Sequence, residues 1–274
     1  MKKSSISLVV ASAVLLFSSP AYAAAPAMVI DGITLQSDVQ PEVQHSRTMV
    51  PLRIIGENLG AKVNWANSEA TLTYNGITIK LKPNSSAATK NGEPVALDAE
   101  PYLKNNRIYV PLRFIAETFG STIDYRDGTV TVDTEPLTIE GVPVKAALHE
   151  IYATMGSIVN QIGGNAHIAA LYQLLEENKG QEVEAPASYS WSFHLVDTGG
   201  YYVGSRLDFV DGQGASLQSY ALYFQLGENS DVMLYDATKS QWHEFSTDAK
   251  DAIWQEVGLA GRNGFMKEIS NTVP

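Results

Sequence analysis

The stretch Arg107-Ile-Tyr-Val-Pro-Leu-Arg-Phe-Ile-Ala-Glu-Thr-Phe-Gly120 constrains this chain most, because nearly the same wording occurs earlier as Arg47-Thr-Met-Val-Pro-Leu-Arg-Ile-Ile-Gly-Glu-Asn-Leu-Gly60. Arg47 corresponds to Arg107, Pro51 to Pro111, Arg53 to Arg113, Glu57 to Glu117 and Gly60 to Gly120, all at an offset of 60 residues. Such a duplication means one supersecondary unit used twice. Each copy reads as a strand running into a helix of about two turns, with Pro in the first helical turn and Gly just past the end as a left-handed stop. Leu52, Ile55 and Leu59, and likewise Leu112, Ile115 and Phe119, fall at i, i+3 and i+7, so they share a helix face that strands must cover.

After each Gly an alternating run, Ala61 to Trp65 and Ser121 to Tyr125, is followed by a second, Thr71 to Tyr74 and Thr129 to Val132. Period two marks half-buried strands. Matched in this way, copy two lacks two residues in the turn after Tyr125. Asp31-Gly32 and Asn91-Gly92 are tight-hairpin dipeptides, Gly76 to Leu81 continues the sheet of copy one, and the polar stretch Asn84 to Thr89 reads as a loop joining the copies. Arg53 with Glu57 and Arg113 with Glu117 are four apart and meet on the helix surface. They read as structural ion pairs of ~0.3–0.5 kcal/mol rather than a repeated ligand clamp.

The pattern Arg-x-x-Val-Pro-Leu-Arg, an apolar pair, Glu, an aromatic or Leu, Gly, then a strand bearing Trp or Tyr, resembles the copper amine oxidase N-terminal-like, or stalk, domain over residues 28 to 135. The resemblance implies antiparallel strands wrapped around a helix, in secreted or cell-surface proteins of Gram-positive bacteria. It does not imply amine oxidation, since the stalk lies outside the catalytic domain of the oxidases that have one. An oxidase domain needs clustered His ligands for copper and a tyrosine in an Asn-Tyr-Asp/Glu context. This chain has no Asn-Tyr dipeptide, and its His residues are His45, His149, His167, His194 and His243. No cofactor is expected.

Met1-Lys-Lys, the apolar run Ile6 to Phe17 and the small-x-small site Ala21-Tyr-Ala23 read as a secretory signal peptide over residues 1–23. The run is shorter than the ~20 residues a bilayer needs, so an exported chain without a membrane span, extracellular or at the cell surface, is expected. No cysteine is present, and stability must come from core burial without disulfides. Of 19 basic and 30 acidic side chains, cleavage removes Lys2 and Lys3, which leaves 17 against 30 and a net charge of −13. That sign argues against nucleic acid and anionic membranes.

The repeat ends near Pro136. Residues 24–135 read as the duplicated domain, 136–142 as a linker and 143–274 as a second domain of no recognised family. Val144, Leu148, Ile151, Met155, Ile158 and Ile162 step by three or four and predict a helix that stops at Gly163-Gly164. A second helix is expected from Ala166 to Asn178-Lys-Gly180. Strands follow: Tyr189 to Leu195, Tyr201 to Phe209, Tyr220 to Leu226, and a hairpin of Val232–Tyr235 with Gln241–Phe245. A closing helix capped by Thr247 or Asp248 runs to Gly258. This predicts an α+β fold with helices on one face of an antiparallel sheet.

Catalysis needs nucleophile, base and orienting acid together. Ser192, His194 and Asp197 are close in sequence, but a strand points Asp197 away from the other two. His243-Glu244 lacks a second His for a zinc motif. His149 and His167, on separate helices, read as hydrogen-bonded or solvated rather than as ligands. Asp124, Asp127 and Asp133 do not fit a calcium loop and read as turn chemistry. The aromatic residues of the second domain read as core and cross-strand pairs rather than a sugar platform. The expectation is a secreted or envelope-associated, non-catalytic protein, with the stalk repeats as spacer or docking module and the C-terminal domain binding a wall polymer or envelope protein. The alternative is a secreted hydrolase acting on wall polymer or peptide.

Overall fold

The computed structural model describes residues 27–36, 40–227 and 231–274, so the signal peptide read at 1–23 lies outside the described residues. Among the described residues the chain is a mixed α/β protein with four α-helices and mostly strands, arranged in several sheets.

The first half begins with the hairpin β1 (Ala27–Ile30) and β2 (Ile33–Thr34), turned at Asp31 and Gly32, both with positive φ. Copy one follows as β3 (Glu42–Gln44), β4 (Arg47–Pro51), α1 (Leu52–Asn58), β5 (Lys62–Ala66) and β6 (Glu69–Tyr74). Its sheet continues through β7 (Ile77–Leu81), β8 (Ala87–Lys90) and β9 (Glu93–Ala96). The expected loop Asn84 to Thr89 is thus only partly a loop: Ala87 to Thr89 pair with β7 and β9, which satisfies their backbone groups better than solvent-facing coil would. Copy two is β10 (Tyr102–Lys104), β11 (Arg107–Pro111), α2 (Leu112–Thr118), β12 (Thr122–Arg126) and β13 (Thr129–Asp133).

Local chemistry explains both short helices. Pro51 and Pro111 sit at the N-cap in an extended conformation, φ −61° and −60°, one position before the first helical turn where the sequence placed them. Each helix ends the same way. Gly60 N–H donates to Glu57 O and Ala61 N–H to Gly56 O, and in copy two Gly120 and Ser121 repeat these bonds to Glu117 and Ala116. This paired closure needs a left-handed residue after the cap, and Gly60 and Gly120 have φ +87° and +79°.

The duplication is also complete in its turns. Trp65 pairs with Ala70 and Tyr125 with Val130, the turns being Asn67-Ser68 and Asp127-Gly128. The offset of 60 therefore persists, and the two-residue deficit read after Tyr125 is a misalignment: Thr129 answers Glu69, not Thr71. Alternating strands look alike under a shift of two residues, and that periodicity produced the error.

The copies meet at β4 and β11, which are antiparallel with Val50 opposite Val110, Tyr109 opposite Pro51 and Pro111 opposite Met49. Because position 50 faces its own equivalent, 110, a local two-fold normal to the sheet relates the copies. The β1–β2 hairpin completes copy two, β1 lying parallel to β13.

Beyond the small hairpin β14 (Thr138–Ile139) and β15 (Val142–Pro143), the expected helix over 144–162 is instead a strand hairpin, β16 (Ala146–Ala153) and β17 (Gly156–Ile162). The three-and-four spacing was coincidental. Burial alternates instead, with Ala147 and His149 inward on β16 and Asn160 and Ile162 inward on β17, while Met155 at the turn is 69 % exposed. Ile151, Tyr152, Ile158 and Val159 favour a pleated surface, and β20 and β24 supply the distant partners that no local pattern reveals.

Next come α3 (Asn165–Glu177), β18 (Glu182–Val183), β19 (Tyr189–Ser190), β20 (Tyr201–Val210), β21 (Ser216–Gln225), β22 (Val232–Asp236), β23 (Gln241–Phe245), α4 (Thr247–Arg262) and β24 (Met266–Asn271). Of the strand expected over 189–195, Tyr189 and Ser190 are paired as a strand, and Phe193–Leu195 make a 3-10 turn instead. The closing helix is capped by Ser246, whose hydroxyl accepts from Ala249 N–H, and it runs past Gly258 to Arg262. The sheet is nine-stranded, in the order β18-β23-β22-β21-β20-β16-β17-β24 with β19 beside β20. Leu171 and Leu175 of α3 and Ile253 and Val257 of α4 bury against Leu207, Phe209, Leu222 and Leu234 of that sheet, each large side chain contributing roughly 1.5–3 kcal/mol. The buried apolar residues of both halves form one continuous cluster. At its junction the chain is tight, for a Cβ added at Gly163 would meet the Ile33 side chain at 2.5 Å.

Candidate functional site

Three α-helices meet polar groups where the halves touch. α3 starts after Gly164, which has no side chain to cap it. The cap comes from the first hairpin: Asp31 Oδ2 accepts from Asn165 N–H at 2.8 Å, while Oδ1 accepts from Thr134 N–H at 2.8 Å. A carboxylate there also complements the helix dipole. One turn further, His167 is fully buried, with Nδ1 2.6 Å from Glu256 Oε1 on α4 and Nε2 3.0 Å from Asn58 Oδ1 on α1. Asn263 Nδ2 donates to the same Asn58 oxygen at 2.9 Å. Asn58, His167, Glu256 and Asn263 thereby tie copy one to both helices of the second half.

Beside this junction opens a groove of about 930 Å³. Its walls come from three places. α1 turns Leu52 inward and so presents Arg53 and Glu57 outward, joined at 3.2 Å. β11 lies against β4, which brings Arg107 and Ile108 of copy two alongside Pro51. The end of α4 adds Arg262 and Asn263, and β5 contributes Trp65. Trp65 is 44 % exposed and Leu103, also lining the groove, 57 %. Among the described residues the lining brings together three guanidinium groups and one carboxylate, in a chain of net charge −11. Arginine with a neighbouring ring can hold an oxyanion and stack a planar or sugar face.

The other residues singled out in the sequence are placed differently. Arg113 and Glu117 pair at 3.8 Å on the opposite copy. His149 lies on β16, not a helix, fully buried against Trp254 with ring centroids 4.7 Å apart. Neither of its ring nitrogens has a hydrogen-bond partner, and burial lowers its pKa to about 4. Ser192 Oγ accepts from the His194 backbone N–H at 3.4 Å, the work of a turn cap. His243 Nδ1–H donates to Gly180 O at 3.2 Å. Asp124 pairs with Arg126 at 3.0 Å, and Asp127 occupies its turn at φ +50°. In the second half, Tyr220 donates to Glu176 and Lys179 bridges Glu176 and buried Asp236 at 2.6 and 3.2 Å, a network closed upon itself. Burial and the Glu176 bond push the Tyr220 phenol far above its ordinary range.

Sequence reasoning missed Asn58, Glu256, Asn263 and the groove itself. The one signal available was asymmetry: position 58 is Asn where copy two has Thr118. With this geometry in view, residues 29–134 match the copper amine oxidase N-terminal domain family. That domain is non-catalytic in itself, and the groove draws on it for every lining residue but Arg262 and Asn263 of the α4 wall. Copper requires clustered imidazole or thiolate donors. Among the described residues no group of three or more His, Cys, Asp or Glu side chains is placed to hold a metal. Among them, too, no helix is long and apolar enough to cross a membrane.

Proposed function

We propose that this is an exported, non-catalytic protein of the cell envelope that binds an anionic ligand in the groove between copy one, β11 and the end of α4. In this reading residues 24–135 are two stalk-type repeats serving as spacer and docking module, 136–142 a linker, and 143–274 an α+β unit that completes the binding site. The convergence of Arg53, Arg107 and Arg262 beside exposed Trp65 carries the reading. Among the described residues the groove's lining carboxylate, Glu57, is engaged by Arg53 and no histidine lines it, an arrangement suited to recognition rather than proton transfer.

The test is retention of the protein on isolated cell walls, with incubation supernatants assayed for released sugars and peptides. Binding should weaken as salt rises and fall in an Arg53→Gln, Arg262→Gln double variant, with no release of fragments. Depolymerisation of the wall would give the hydrolase reading its place.

A further inference from the structure

The groove has a counterpart. The two-fold through Val50 and Val110 carries Arg107 onto Arg47, Arg53 onto Arg113 and Trp65 onto Tyr125. This second set lines a smaller depression of about 200 Å³ with Pro111, the equivalent of Pro51. We propose that the second depression is a binding subsite of the same kind, and that each receives acidic sugar units of a carboxylate-bearing glycan. The proposal rests on the groove reading above and extends it.

Three observations carry it. First, Trp65 and Tyr125 are each 44 % exposed, so the duplication keeps a half-uncovered ring at both places although either ring would be better buried. Secondly, each depression already seats a carboxylate of the chain itself: Glu57 on Arg53 at 3.2 Å, and Asp98 on Arg47 at 2.5 Å. A guanidinium fork matches a planar carboxylate. Thirdly, the Arg113 guanidinium lies 5.9 Å from the Tyr125 ring centroid, close enough for one sugar to rest on the ring and place its carboxylate at the arginine. A two-fold normal to the sheet keeps both sites on one side of the β4–β11 pair. The sites are unequal, since Arg262 adds charge to the first and Asp98 competes in the second.

Calorimetric titration of the protein with tetragalacturonate at low salt tests this, with neutral galactotetraose and tetraglutamate as parallel arms. Two sites are expected, the stronger weakened at least tenfold by Trp65→Ala and the weaker lost in Tyr125→Ala. Arg113→Gln repeats the second measurement should Tyr125→Ala melt early. A single site that ignores both Tyr125→Ala and Arg113→Gln overturns the second subsite and leaves the groove reading standing. Equal binding of galactotetraose or tetraglutamate overturns the ligand class. No heat from any of the three overturns the subsite and the groove reading together.

Discussion

The two copies of the repeat share a backbone and live in different surroundings. At the end of α2, Glu117 is 65 % exposed, Thr118 is half-buried and a Cβ added at Gly120 would meet nothing within 4 Å. At the end of α1, Glu57 is 22 % exposed, Asn58 is fully buried and a Cβ at Gly60 would meet the Tyr74 ring at 2.8 Å and Ala166 at 3.5 Å. The residues common to both copies, the Pro, the buried Leu and Ile, and the left-handed Gly, are those the local fold requires. The residues that differ mark which copy faces the second half. Thr118 closes onto its own helix, its hydroxyl donating to Phe114 O at 2.6 Å, whereas Asn58 reaches out to His167 and Asn263.

If the shared residues set the fold equally in both copies, truncating equivalents should cost the same. Ile55 and Ile115 are 1 % and 0 % exposed, and Ile55→Ala and Ile115→Ala should each destabilise by ~2–5 kcal/mol. Urea denaturation of the two variants measures it. A large inequality would mean that one copy holds the other in shape.

The second effect tests the half on which copy one leans. Burial holds His149 at a pKa of about 4, against 6.5 when free. Between those values the unfolded chain binds a proton that the folded chain excludes, so stability is fully present above the unfolded value and falls as pH drops through the window. The loss approaches ~3 kcal/mol at the acid end. Urea titrations at pH 7 and pH 4.5 should show it in the wild type and a much smaller loss in His149→Phe, carboxylates being common to both. An identical acid dependence in the two proteins would show that the ring is solvated in the native state.

Most of the shared architecture was legible in the sequence because local chemistry specifies it: the Pro and Gly at the helix ends, the Asp31-Gly32 and Asn91-Gly92 turns, and the alternation of β20 to β23. What distant partners decide was not. Residues 144–162 carry apolar groups at helical and strand spacing alike, and only pairing with β20 and β24 selects the strand. β24 is exposed along most of its length and carries no alternating signal. The groove was illegible for the same reason, as it needs Arg53, Arg107 and Arg262 from three elements that only the fold assembles.

The third effect is the one the comparison between copies predicts most directly. Asn58→Ala removes the partner of His167 Nε2 and the acceptor for Asn263 and leaves polar groups at a buried junction unpaired, at ~1–3 kcal/mol. Thr118→Ala loses one bond within its own helix and should stay within ~0.5 kcal/mol of the wild type. Equal costs would show that the polar junction contributes nothing beyond ordinary local bonds.

The smallest effect separates stability from binding. Glu57 lies 3.2 Å from Arg53 and is 22 % exposed, whereas Glu117 lies 3.8 Å from Arg113 and is 65 % exposed. Exposed pairs four apart contribute ~0.3–0.5 kcal/mol and are screened by salt. Glu57→Gln should therefore lower stability by about that amount at low salt, and Glu117→Gln by less. In the groove the sign reverses, because removing the Glu57 charge leaves the Arg53 guanidinium to an incoming anion. Glu57→Gln should bind tetragalacturonate more tightly while melting slightly earlier, and Glu117→Gln should leave the stronger site unaltered. If Glu57→Gln weakened binding instead, Glu57 would be orienting Arg53 for the ligand rather than competing with it, and the carboxylate on Arg53 would be part of the site.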